Sequence, residues 1–101
     1  MRMICLSNLL LGRYNDAVRA CERTAARGNW WADHVLLVAV YSQLGDSTKA
    51  AVAKTELLKR QPGFTLDKHK AADPAWKNPG YGLRAEAHLY AGLRKAGLAD
   101  R

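Results

Sequence analysis

No run of about 18 apolar residues occurs in this 101-residue chain, so no membrane-spanning helix is expected. Phenylalanine occurs once, and the 49% of hydrophobic residues are mainly Ala and Leu. That composition favours thin, closely packed helices over a sheet sandwich. Cysteine occurs only as Cys5 and Cys21, which lack metal-ligand spacing and both sit at apolar helical positions. They read as buried free thiols in a reduced cytoplasm. The apolar start, Met1–Leu11, is short, is interrupted by Ser7 and Asn8, and has no small-x-small cleavage site before Gly12, so it is not read as an export signal. There is no Gly-rich phosphate loop and no arguable Ser/His/Asp or Cys/His arrangement. No catalytic residue, metal site or cofactor site is therefore assigned, and the chain is not read as an enzyme.

Acidic residues are also scarce. Nine Asp and Glu stand against sixteen Lys and Arg, for a net charge of +7. The excess is spread, at +3, +1 and +3 over residues 1–29, 30–62 and 63–101. A spread excess argues against a clustered nucleic-acid footprint, while it still favours an acidic partner surface over a basic one.

What the chain does contain is a repeat. Leu11-Gly12-Arg13-Tyr14-Asn15-Asp16-Ala17 is echoed 33 residues later by Leu44-Gly45-Asp46-Ser47-Thr48-Lys49-Ala50, and Asn29 corresponds to Pro62. A period near 34 with this punctuation marks a helix–turn–helix repeat, an architecture that presents surfaces more often than it performs chemistry. A short helix, apolar nearly all round, precedes Gly12. A second runs to about Arg27, with Tyr14, Ala17, Val18, Cys21 and Thr24-Ala25 at three- and four-residue steps. Asn29 suits the start of a third, Trp30 to about Leu44, with Trp31, His34, Val35, Val38 and Tyr41 as one stripe and Gly45 as its stop. Asp46 caps a fourth, with Ala50, Ala53, Leu57 and Leu58 inward, which ends before Pro62. Short connections make consecutive helices antiparallel, and Ala17 and Ala50 are small enough for close helix crossings. Phe64–Ala72 fits a short helix started by Thr65. Asp73-Pro74 and Asn78-Pro79-Gly80 are turn signals. A last helix fits Tyr81 to about Ala96, with Leu83, Ala87, Leu89-Tyr90 and Leu93 inward and Gly97 as its stop.

His34, Leu37, Val38, Tyr41, Ala50, Lys54 and Pro62 fall on the positions of the tetratricopeptide pattern, and four of them carry the signature type: Leu37, Tyr41, Ala50 and Pro62. The chain thus resembles one and a half tetratricopeptide repeats over residues 1–62, a truncated unit at 1–29 and a fuller one at 30–62. Residues 63–101 read as a degenerate third repeat, a Pro-containing loop and a capping helix. The resemblance implies an all-α fold of antiparallel helix–turn–helix repeats in a right-handed superhelix with a C-terminal cap. Arg60–Leu66, Asn78–Tyr81 and Gly92–Leu98 further resemble the end of repeat arrays that follow class III adenylate/guanylate cyclase or winged-helix regulator domains in bacteria. This implies a cytoplasmic C-terminal regulatory or docking segment that binds protein. The alternatives are a stand-alone dimeric adaptor and a basic helical nucleic-acid-binding module.

In the family, peptides lie in a groove lined by the first helix of each repeat. Carried onto this chain, that face is Ala32, Val35, Ala39, Ser42 and Gln43, small and neutral, and suited to an apolar helix or peptide. The Lys/Asn pattern that clamps a terminal carboxylate in some members is absent, because Leu6 and Ala39 fill the two Asn positions. Adjacent helical residues point about 100° apart, so Trp30 and Trp31 cannot both face the core, and one is expected at an interface or under the preceding loop. Arg19, Arg23 and Arg27 form a basic stripe that reads as an anion contact or, more plainly, a solvated face. Lys68, His69, Lys70, Trp76 and Lys77 read as a solvated loop, and His69 with Asp67 and Asp73 is not taken as a metal site. The apolar first helix lacks the polar outer face of a terminal repeat. Either helices precede it or a second copy covers it, and both predict that the isolated chain self-associates.

Overall fold

The computed structural model describes residues 2–28, 31–72 and 79–98, apart from the side chains of residues 2, 3, 28, 32, 72 and 79. The described residues form helices and turns, with no strand among them. In order they are α1 (Arg2–Leu10), α2 (Tyr14–Gly28), α3 (Trp31–Gln43), α4 (Ser47–Arg60), α5 (Leu66–Ala72) and α6 (Pro79–Arg84). A π-helical stretch (Ala85–Tyr90) then leads without a break into α7 (Ala91–Lys95).

Local chemistry sets the ends of these helices. Gly12 and Gly45, one repeat period apart, take φ of 76° and 78°, the left-handed conformation that glycine enters without a Cβ penalty. Around each, two amides fold back onto free carbonyls: Gly12 onto Leu9 and Arg13 onto Asn8, then Gly45 onto Ser42 and Asp46 onto Tyr41. Asp46 accepts from the Lys49 amide at 3.1 Å and starts α4. Thr65 accepts from the Lys68 amide at 3.3 Å and starts α5.

Helix α3 is central. Asp33 through Tyr41 is buried without interruption, because VLLVAVY is apolar on every face and needs cover on every side. The expected single inward stripe is therefore too narrow. Helices α2 and α4 cover part of α3, and the π stretch and α7 pack on it as well. At Gly92 the α7 backbone meets α3, where an added Cβ would lie 2.6 Å from the Ala39 carbonyl oxygen. Tyr41 donates to Glu22 Oε2 at 2.6 Å, which ties α3 to α2. Burial and then this bond push the Tyr41 phenol far above its usual value.

Two further expectations need correction. Cys5 and Cys21 are not free thiols but a buried disulfide, with Cα atoms 4.9 Å apart, joining α1 to α2. A persistent disulfide belongs to an oxidising compartment, so the thiols no longer argue for a reduced one. In the last helix, Leu83 and Ala87 face solvent, while Ala85, Leu89, Tyr90, Gly92 and Leu93 are buried. The π turn accommodates an extra residue and changes the register of the inner face. No helix among the described residues is long and apolar enough to cross a membrane.

His34, at the position where the tetratricopeptide pattern has Trp, is only 9% exposed, and neither ring nitrogen has a hydrogen-bond partner. Burial first, then the Arg60 charge, lowers its pKa, with Glu56 and Asp33 opposing. The unfolded chain therefore binds this proton more readily than the folded one, and folding stability falls as pH drops below about 6.5. In urea titrations, the midpoint is expected to decline from pH 7 toward the carboxylate range, and His34→Leu is expected to flatten that decline. An unchanged slope in His34→Leu would show that another group drives it.

Candidate interaction site

The residues expected to form one partner-facing groove are separated by the fold. Val35 and Ala39 are 1% and 0% exposed, and the chain's own terminal helix occupies that face. Ser42 and Gln43 are half-buried at the end of α3. The Gln43 amide donates to the His88 carbonyl at 2.8 Å and accepts from Lys95 at 2.6 Å, so Gln43 holds the terminal helix in place. Trp30 lies outside the described residues, as does the Ala32 side chain.

Trp31, at the first turn of α3 and half-buried, has a different set of neighbours. Phe64 lies in the connection after α4 and His69 on α5. Ring centroids are 6.2 Å apart for Trp31 and Phe64, 6.3 Å for Trp31 and His69, and 5.9 Å for Phe64 and His69. Such edge and tilted contacts suit aromatic quadrupoles. The nest borders a cavity of about 260 Å³, where Gln61, Gly63 and Lys68 supply the polar rim. The rim is held locally: the Phe64 amide donates to the Gln61 carbonyl at 3.0 Å, and the Lys68 ammonium donates to the Gly63 carbonyl at 3.0 Å.

Beneath the nest, His69 Nδ1 and the Tyr90 hydroxyl are 2.7 Å apart. Tyr90 belongs to the π stretch, as does His88, whose Nδ1 lies 2.6 Å from the Tyr14 hydroxyl. Two His–Tyr pairs therefore hold the π stretch, one to α5 and one to α2. Lys70 sits 4.8 Å above the Tyr90 ring and 3.1 Å from Glu86, which also pairs with Arg94. Burial of Glu86 works to raise its pKa, but hydrogen bonds from Arg94 and Lys70 outweigh it and hold the carboxyl below its usual range.

Of the expected site, Trp31 stays half-buried beside this aromatic cavity. Phe64 and His69 were not expected beside it, and no local signal pairs residues separated by more than 30 positions. Arg19, Arg23 and Arg27 are all exposed, and the Arg23 Nε donates to the Arg19 carbonyl at 3.4 Å, as a solvated stripe does. Among the described residues no three His, Cys, Asp or Glu side chains are grouped to hold a metal. Asp73 and Trp76 lie outside those residues. No family model matches the chain, and no curated protein or solved structure matches it.

Proposed function

We propose that this chain is a non-catalytic protein–protein interaction module whose contact is the Trp31–Phe64–His69 nest. The observation that carries this reading is an aromatic-walled cavity with a lysine on its rim and, among the described residues, no carboxylate in its lining. Such a pocket takes an apolar side chain flanked by an acidic residue, with Trp31 as the anchor. Peptides selected from a random displayed library on the intact chain should carry an aromatic or large aliphatic residue beside Asp or Glu. Trp31→Ala should weaken their binding by about thirtyfold, within the range of interface anchors. Lys68→Glu should weaken it while leaving the helical circular dichroism unchanged. Selected peptides that bind folded Trp31→Ala equally well would remove the nest from consideration.

Within this reading, the tetratricopeptide-like repeat and the role of C-terminal regulatory or docking segment in a bacterial cyclase-linked signalling protein rest on the resemblance of residues 34–62 and of the tail segments. Cytoplasmic residence belongs to the same reading. It requires Cys5 and Cys21 to be reduced in the cell, which alkylation before lysis measures directly.

A second contact, with another copy of the chain, is supported by Ile4 and Leu11, 56% and 52% exposed at either end of α1. Sedimentation should show association that Ile4→Asp weakens. A wild-type monomer at high micromolar concentration would end this second reading.

A further inference from the structure

A second cavity, of about 410 Å³, opens where the end of α3, the outer side of α4 and the end of α7 meet. Its volume lies within the range of small-molecule pockets, about 300–1,000 Å³. Among the described residues it shares no lining residue with the aromatic nest, and nothing in the interaction reading uses it.

Its charge is one-sided. Among the described residues Lys54 and Lys95 line it and no carboxylate does. Their hydrogen bonds go to neutral oxygens, Lys95 to the Gln43 amide at 2.6 Å and Lys54 to the Gly97 carbonyl at 3.5 Å. Other cations nearby are compensated: Lys59 and Arg60 pair with Glu56, and Lys70 and Arg94 with Glu86. The two ammonium groups at this cavity thus retain charge to offer an anion.

The remaining lining is divided between apolar and hydroxyl groups. Ala51, Leu58 and Ala96 give a short apolar wall, and Ser47 stands at its edge. Ser42 also lines the cavity, and its buried hydroxyl oxygen has no hydrogen-bond partner. A buried hydroxyl without a partner is costly, and an oxygen acceptor entering the cavity supplies the missing bond.

We propose that this cavity binds a small amphiphilic oxyanion, a carboxylate or phosphate carried on a short apolar body. The oxyanion sits between Lys54 and Lys95 and accepts from Ser42, and the body lies against Leu58 and Ala96. A bare anion leaves the apolar wall unused, and a neutral amphiphile leaves both ammonium groups uncompensated.

The test is an amide-resolved NMR titration of the intact chain with four probes: hexanoate, hexyl phosphate, hexanol and inorganic phosphate. Hexanoate or hexyl phosphate should give saturable shifts at Gly45, Ala51, Thr55 and Ala96. The tighter of the two identifies the head group as carboxylate or phosphate. Hexanol and inorganic phosphate should each bind about tenfold more weakly or not at all. Lys54→Met and Lys95→Met, both at solvent-accessible side chains, should each cost about tenfold in affinity with the fold unchanged. Ser42→Ala should weaken binding while the thermal midpoint stays or rises, because it removes a buried donor that has no partner in the free protein. The proposal is overturned if neither amphiphile saturates, if hexanol binds as tightly as hexanoate, or if both lysine variants bind like wild type.

Discussion

Gly92→Ala should lower the stability of this small protein by about 2–3 kcal/mol, and Gly92→Val should leave little folded chain at room temperature. A Cβ at Gly92 would meet three backbone atoms of Ala39: the carbonyl oxygen at 2.6 Å, Cα at 2.9 Å and the carbonyl carbon at 3.1 Å. None belongs to a flexible side chain, so relief requires α7 to move away from α3. That movement loosens Leu89, Tyr90 and Leu93, each 1% exposed or less. Alanine in place of glycine within a helix ordinarily gains about 1 kcal/mol, so the clash must first overcome that gain. For a chain of this size the thermal midpoint should fall by roughly 10 °C. Thermal unfolding followed by circular dichroism reads the effect. A Gly92→Ala midpoint at or above wild type would mean that the terminal helix does not rest on Ala39.

Reducing the Cys5–Cys21 disulfide should cost about 3 kcal/mol, the chain-entropy value for closing a loop of about 15 residues. The two cysteines are 16 positions apart. Both are 1% exposed or less, so the reduced thiols remain in a filled core and the loss falls mainly on the entropy of the unfolded chain. Helix α1 should be the first element to loosen. It has nine residues, with no acidic side chain in its first turn and no basic one in its last to complement the helix dipole. Melting with and without a phosphine reductant should separate the midpoints by on the order of 10 °C. Trypsin should also cut faster at exposed Arg13 in the reduced chain. Equal midpoints and equal cleavage would show that α1 packs on α2 without needing the bond.

Much of the candidate site was not legible in the chain, for a reason visible at Ala39. A small residue on α3 fits two situations, a shallow groove for a foreign peptide or a crossing where another helix backbone comes close. The second is what Ala17 and Ala50 suggested at their own positions. At Ala39 the deciding partner is Gly92, 53 positions away, and no periodicity within α3 reports it. Trp31, adjacent to Trp30, stands out in the sequence because two successive helical residues cannot both face the core. Its neighbours Phe64 and His69 come from other elements, so the aromatic nest forms only when those elements pack.

What the sequence determined by itself was local. Gly12, Gly45 and Gly97 end their helices because each needs a positive φ that side chains resist. Asp46 and Thr65 begin theirs because a side-chain oxygen can satisfy an amide three residues ahead. These effects act over one helical turn and are written in adjacent residues. The tertiary structure alone decided that α3 is covered all round, that Cys5 meets Cys21 and that a π turn sets the inner face of the last helix. It also decided that the terminal helix fills the face where a partner was expected. An apolar surface specifies that it must be buried but not by what, and here the nearest cover was the protein's own C-terminal helix.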